Sequence, residues 1–465
     1  MTLIKSISGI RGTIGGKPGE GLTPLDLVKY SGAYASIIKS SVGNRKAKVV
    51  IGRDGRISGP MVSELVIQTL VASGIQVIDL GLSTTPSVEM AVTGLAADGG
   101  IILTASHNPK QWNALKLLNN KGEFISASEG EALLQKAENE QFDFVEVNHL
   151  GTVEKYEGGY IREHIEAILA LPYVDKKSIE NAGFKIVVDA INSSGAIAVP
   201  KLLEALGVKE VVCLNAIPDG QFAHNPEPLP EHLTELSEMV VKHKAHLGIS
   251  VDPDVDRLAM ICENGEPFGE EYTLVSVADF MLRHKVGNTV SNLSSSRALR
   301  DITEKAGGQY FAAAVGEVNV VEEMKKVNAV IGGEGNGGVI LPDLHYGRDA
   351  LAGIALFLTL LAREKKPVSV LKATYPPYYI SKNKIELSPE MDLEHVLRSV
   401  KEKYAKFDVS TIDGVRIDFE KEWVHLRKSN TEPIIRIYAE SASEVTADTL
   451  ANKIISDIRE IIKTG

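Results

Sequence analysis

One arrangement recurs three times along the chain and limits the folds open to it: a β-rich run, a polar loop, then a helix. The runs occupy residues 48–54, 185–190 and 288–293. Apolar residues every three or four positions predict helices over 61–73, 196–206 and 298–306. A second strand follows at 76–80, 210–214 and 309–314, and a third apolar run at 100–103, 246–251 and 329–331. Strands alternating with amphipathic helices imply βαβ units and a mainly parallel sheet covered on both faces.

The third run of each unit ends in an unusual polar loop: Thr104-Ala105-Ser106-His107-Asn108-Pro109, Asp252-Pro253-Asp254-Val255-Asp256-Arg257, and Gly333-Glu334-Gly335-Asn336-Gly337-Gly338. Ligands of open α/β sheets bind at the carboxyl ends of strands. Three such ends facing one another would form a central cleft, so the chemistry is expected in these loops.

The last part of the chain changes pattern. Pro367 and Pro376-Pro377 punctuate it, and strands are predicted at 378–385, 415–419, 423–427 and 434–439, with helices at 393–404 and 445–463. A chain of 465 residues exceeds one ordinary core. The expected fold is three similar mixed α/β domains followed by a smaller α+β domain, with boundaries at 1–150, 151–257, 258–370 and 371–465.

A formal charge of -11 argues against broad nucleic-acid binding. An anionic substrate would then need a local basic cluster. No run approaches the ~20 apolar residues of a membrane span, and the apolar stretch 350–361 reads as a buried helix. The N-terminus lacks a signal-peptide pattern. Cys213 and Cys262 have no metal-ligand spacing, are expected to be buried thiols, and fit a reducing cytoplasm.

Ser106 needs a base, a metal or a prior phosphoryl group to act as a nucleophile, although Ser, Asn and Pro also form turns. Lys116 could return to the same site. Asp252, Asp254 and Asp256 alternate, so in an extended segment their carboxylates would share one face. Hard oxygens of this kind suit Mg²⁺ or another divalent ion, with a solvated acidic turn as the plainer alternative. An aspartyl nucleophile in an Asp-x-Asp motif is a competing reading, but it would be expected after the first strand of its domain rather than the last. The glycine-dense third loop leaves Glu334 and Asn336 as its polar side chains, suited to sugar hydroxyls, although taken alone it also reads as a flexible hairpin. Arg427, Ser429, Asn430 and Thr431, with Arg436 beyond, supply the basic cluster and a phosphate cradle. Arg53-Asp54-Gly55-Arg56 reads as a structural strand-end turn.

Together with Ser-Gly-Ile-Arg-Gly at 8–12, these loops resemble, in order and position, those of the α-D-phosphohexomutases from end to end. The resemblance implies four domains in a heart-shaped arrangement and phosphate exchange between the 1- and 6-positions of a hexose. Ser106 would carry the phosphoryl group and, with Asp252, Asp254 and Asp256, bind Mg²⁺. His107, Lys116, Arg11 and Arg257 would surround the transferring group. Glu334 and Asn336 would hold the sugar, and Arg427, Ser429, Asn430, Thr431 and Arg436 the other phosphate. A hexose 1,6-bisphosphate would be the intermediate. Gly338 stands where many relatives have a histidine, so the acid/base group is open among Lys116, Arg11 and His345. The loop variants look most like archaeal-type phosphoglucosamine mutases, with phosphoglucomutase or phosphomannomutase activity as the alternative. A hexose phosphate is the expected partner, with no nucleic acid and no membrane, and monomer and homodimer both stay open. A non-catalytic sugar-phosphate sensor is the rival of another class; the intact Ser106 and three aspartates argue against it.

Overall fold

A computed structural model describes residues 2–6, 9–386, 393–428 and 434–464. Three sheets share one kernel of four strands. In the first, Gln76–Leu82, Lys48–Arg53, Gly99–Leu103 and Trp112–Leu118 lie side by side. The same order holds for Glu210–Leu214, Lys185–Asp189, Leu247–Val251 and Leu258–Cys262 in the second sheet. It holds again for Tyr310–Ala313, Thr289–Asn292, Ile331–Glu334 and Gly338–Ile340 in the third. The first three strands of each kernel are parallel, and the fourth returns antiparallel.

The kernels are mainly parallel, as expected, and the returning strand adds one antiparallel pairing to each. A parallel crossover needs a dozen or more residues, whereas only Asp252–Arg257 separates the last two strands of the second kernel. The chain can therefore only reverse. Each polar loop is thus the tip of a hairpin whose two arms are fixed in a sheet.

The first sheet grows to seven strands by adding Ile4–Ser6 and Gly9–Thr13 at one edge and Val153–Lys155 at the other. It therefore runs past the expected boundary at 150. The second sheet likewise takes Leu258–Cys262, beyond the expected boundary at 257. Helix Pro24–Val42, started by a Thr23–Asp26 capping box and Pro24, covers one face of the first sheet with helices Gly59–Ala72 and Ala127–Glu138. Helix Thr85–Gly94 covers the other.

The second and third units share one apolar core, through which helix Ala350–Glu364 runs with residues 350–362 all buried. Each buried Leu, Ile or Phe there contributes roughly 1.5–3 kcal/mol. Among the described residues no helix is long and apolar enough to cross a membrane. Cys262 is buried as expected, but Cys213 is exposed, because its strand Glu210–Leu214 forms an edge of the second sheet.

The last unit is a five-stranded antiparallel sheet, ordered Tyr379–Glu386, Ile434–Ser441, Trp423–Lys428, Val415–Asp418, Asp408–Ser410. Helices Leu393–Lys403 and Glu444–Thr464 contribute to its core.

Candidate active site

The first hairpin tip carries Ser106 in a left-handed backbone conformation, with φ of 49°, which costs an L-residue roughly 1–2 kcal/mol. Its N–H donates to Thr104 Oγ1 at 2.9 Å, and that hydroxyl donates to Asp54 Oδ2 at 2.6 Å. Arg56 fixes the tip from below. Fully buried, it spends all five N–H donors: Nε on Asp54 Oδ2 (3.0 Å), Nη2 on the carbonyls of Ser106 (2.6 Å) and Asn108 (2.7 Å), and Nη1 on those of Pro109 and Trp112 (both 2.8 Å). The turn at 53–56 is structural, as its sequence suggested, and the structure it maintains is the serine loop.

Across the boundary with the second unit, Ser106 Oγ donates to Asp252 Oδ2 at 2.7 Å. Asp252, Asp254 and Asp256 are fully buried, with ligand oxygens within 4.8 Å of one another. They converge by a different route from the expected extended segment. Asp252 Oδ1 accepts from the N–H groups of Asp256 and Arg257, each at 3.1 Å, and so closes a tight turn. Val255 completes it at φ 63°, an outlying conformation for a β-branched residue.

Three buried carboxylates repel. Burial, then Asp256 and Asp254, push the Asp252 carboxyl well above its ordinary range. Oδ1 of Asp254 and of Asp256 are buried, with no hydrogen-bond partner among the described residues. This donor set of hard, orphaned oxygens beside a hydroxyl fits a divalent cation such as Mg²⁺.

Positive groups surround the acids. Lys116 lies on the returning strand Trp112–Leu118, with Nζ 2.8 Å from Asp254 Oδ2 and 3.6 Å from Asp256 Oδ2. Burial opposes its charge, but the two aspartates more than offset this and hold the ammonium above its ordinary value. Arg257 Nε is 3.9 Å from Asp256 Oδ1, and its Nη1 is 3.5 Å from Glu227. Arg11 sits close enough to Arg257 that burial and that like charge both lower its pKa. His107 Nδ1 is 3.3 Å from Ser106 Oγ; burial and the Arg257 charge hold this ring well below its ordinary pKa, hence neutral.

The third hairpin tip joins through Arg348, which the sequence reading passed over. Its Nη2 donates to Asp256 Oδ2 and its Nη1 to Glu334 Oε2, both at 2.6 Å, and its Nε lies 3.2 Å from Glu317 Oε2. Glu334 Oε1 also accepts from Asn292 Nδ2 (2.8 Å) and the Gly316 N–H (3.2 Å). Asn336 Nδ2 reaches Glu334 Oε2 only at 3.5 Å. His345, one of the three candidate acid/base groups, contacts Asp349 and Glu89.

In the last unit, Arg427 and Arg436 are directly opposed on neighbouring strands. Like charges in that position are destabilising unless an anion lies between them. Arg427 Nη1 is 3.5 Å from Asp413 Oδ2. Ser429, Asn430 and Thr431 lie outside the described residues, as does Ser8 of the 8–12 motif. A separate cavity of about 600 Å³, lined by Ser178, Phe184, His246, Glu263 and Lys366 among others, contains none of these site residues.

Comparison with known proteins agrees with this architecture unit by unit. Residues 3–144, 162–265 and 269–378 match the phosphoglucomutase/phosphomannomutase alpha/beta/alpha domains I, II and III, and residues 385–456 match the C-terminal domain. The protein is an enzyme of the intramolecular phosphotransferase class. It is 37% identical to the phosphoglucomutase/phosphomannomutase of Thermococcus kodakarensis over 97% of this chain and 99% of that one. It is 33% identical to the phosphoglucosamine/phosphogalactosamine mutase of Sulfurisphaera tokodaii over 98% of both. A crystal structure of a phosphoglucomutase/phosphomannomutase family protein from Burkholderia thailandensis superposes with a TM-score of 0.85 at 26% identity, covering 100% of this chain and 98% of that one. The chain belongs to the phosphoglucomutase/phosphomannomutase family, the α-D-phosphohexomutases.

Proposed function

We propose that this phosphohexomutase interconverts glucosamine 6-phosphate and glucosamine 1-phosphate through a phosphoserine at Ser106 and a hexose 1,6-bisphosphate. The observation that carries the reading is the 2.7 Å approach of Ser106 Oγ to Asp252 within a buried acid triplet. Mg²⁺, held by Asp252, Asp254, Asp256 and a phosphoryl oxygen on Ser106, would supply charge neutralisation for the transferring group.

This chain's own residues do the rest. A substrate hydroxyl forms the new P–O bond while the bond to Ser106 Oγ breaks; the hydroxyl gives up its proton, and Oγ regains one. Neutral His107, with Nδ1 facing Oγ, is placed to relay the proton from the incoming hydroxyl to Oγ as the old bond breaks, without resting as imidazolium. Lys116 is held as an ammonium by two aspartates, so it acts as a fixed charge with Arg11 and Arg257 rather than as a base. Glu334 would accept from sugar hydroxyls, replacing its weak 3.5 Å contact with Asn336. Arg427 and Arg436 would clamp the non-reacting phosphate, with Ser429, Asn430 and Thr431 assigned to the same cradle. After reorientation of the bisphosphate, the second phosphate returns to Ser106.

The similarity to the Sulfurisphaera tokodaii enzyme supports the amino sugar; the 37% identity to the Thermococcus kodakarensis protein favours glucose or mannose phosphate as a second reading. Intact mass tests the intermediate: purified protein should contain a fraction about 80 Da heavier, absent from S106A. An S106A variant that keeps both the added mass and turnover would refute Ser106 as the carrier. Parallel rates on glucosamine, glucose and mannose phosphates decide the sugar.

A further inference from the structure

A second cluster of ligating side chains lies where the first three units meet, and the phosphoryl-transfer reading uses none of it. Asp349 caps helix Ala350–Glu364: its Oδ1 accepts from the N–H groups of Leu351 (2.8 Å) and Ala352 (3.0 Å). That leaves Oδ2 free to face two imidazoles. His164 Nε2, from helix Ile161–Leu169, lies 2.8 Å from it, and His345 Nε2 lies 3.2 Å from it. All three ligand atoms fall within 4.8 Å of one another.

The surroundings of the two rings have the form of a metal centre's outer layer. Metal-bound histidines as a rule donate their other ring N–H to a carboxylate, carbonyl or hydroxyl. His164 Nδ1 has Ser87 Oγ at 3.0 Å, and His345 Nδ1 has Glu89 Oε2 at 3.3 Å. The second contact is an ion-pair approach rather than a formed hydrogen bond, so His345 Nδ1 and both oxygens of Glu89 are buried without a hydrogen-bond partner among the described residues. Gly347 keeps this space open, since a Cβ there would stand 1.8 Å from Glu89 Oε2 and 3.0 Å from His345 Cε1.

Charge permits the exchange. Two buried carboxylates, Asp349 and Glu89, flank two rings, and a dication with neutral imidazoles balances them as two protonated rings would, so a cation can replace the two protons without changing the net charge. We propose that His164, His345 and Asp349 form a second metal site, for a late first-row cation such as Zn²⁺, fastening the first three units together. Two nitrogens and one oxygen suit that class of ion and disfavour Mg²⁺. His345 is 12% exposed, so water can complete the coordination. On binding, the cation displaces the protons that the two Nε2 atoms share with Asp349 Oδ2.

The test uses the full chain in excess Mg²⁺, which saturates the acid triplet, with Co²⁺ and Zn²⁺ as probes. Wild type should retain a single Co²⁺ equivalent with the intense visible absorption of a low-coordinate site, displaced by Zn²⁺ but not by Mg²⁺. H345Q should lose it, D252N should keep it, and E89Q should bind about 10–100-fold more weakly, as expected for loss of an outer partner. X-ray absorption of Zn²⁺-loaded wild type, which needs no variant to fold, should show two imidazole nitrogens. No Mg²⁺-resistant equivalent in wild type, an all-oxygen shell, or binding that survives H345Q would overturn the proposal.

Discussion

Replacing Arg56 by lysine keeps the charge and removes the fork. An ammonium has three donors, whereas Arg56 uses five, four of them on the carbonyls of Ser106, Asn108, Pro109 and Trp112. At least two hydrogen bonds from a charged donor are therefore lost, at roughly 1.5–3 kcal/mol each, for a total of about 3–6 kcal/mol. The cost falls on the loop that holds Ser106 in a left-handed conformation, because the acceptors belong to that loop. An ordered-loop population reduced by ~3 kcal/mol lowers kcat/KM by roughly 100-fold. Steady-state mutase rates measure the loss, and hydrogen exchange on a peptide spanning residues 104–112 should show faster opening there while distant peptides stay unchanged. Wild-type kcat/KM with unchanged exchange in R56K would refute the reasoning that this guanidinium orders the loop.

Three further outcomes are expected. R348M should lower the denaturation midpoint by the equivalent of about 3–5 kcal/mol, the cost of leaving buried carboxylates unpaired, and by less in an E334Q background; equal losses in both backgrounds would contradict the bridge. R427A should raise KM for the hexose phosphate about 10–100-fold, as befits a lost charge-assisted contact worth roughly 1.5–3 kcal/mol, and an unchanged KM would remove Arg427 from the cradle. The buried Glu440 carboxyl is pushed up to about 6, chiefly by desolvation. The folded state therefore holds its proton more tightly than the unfolded chain does. The resulting stability is present below the ordinary value of 4.5 and is lost as pH rises through about 6. Melting curves should show wild type losing about 2 kcal/mol more than E440Q across that window; parallel curves would refute the shift.

The repeat, its helices and its three polar loops were legible because amphipathic periods of 3.6 and loops at strand ends leave local marks. The returning strands were less so. Gly338–Ile340 is three residues long, too short to show a period, and Trp112–Leu118 pairs antiparallel with its neighbours on both sides. Ser106 and the three aspartates could be proposed from residue type and position. Arg348 and Arg56 could not, since their partners lie 92 residues away at Asp256 and up to 56 away at Trp112. No local pattern encodes a partner at that distance. The tight turn at Val255 was equally hidden, because nothing in the spacing of alternate acids distinguishes an extended segment from a folded one.

Asp254 belongs to the second unit by chain and to the first by contact. Its Oδ2 accepts from Thr85 Oγ1 (2.6 Å) and Lys116 Nζ (2.8 Å), and its carbonyl accepts from the Thr85 N–H (2.8 Å). A chimaera joining the first unit of one relative to the second of another must therefore match the donors at 85 and 116 to the acceptor at 254, or lose seam and site together. Heredity can shuffle these two segments only as a pair.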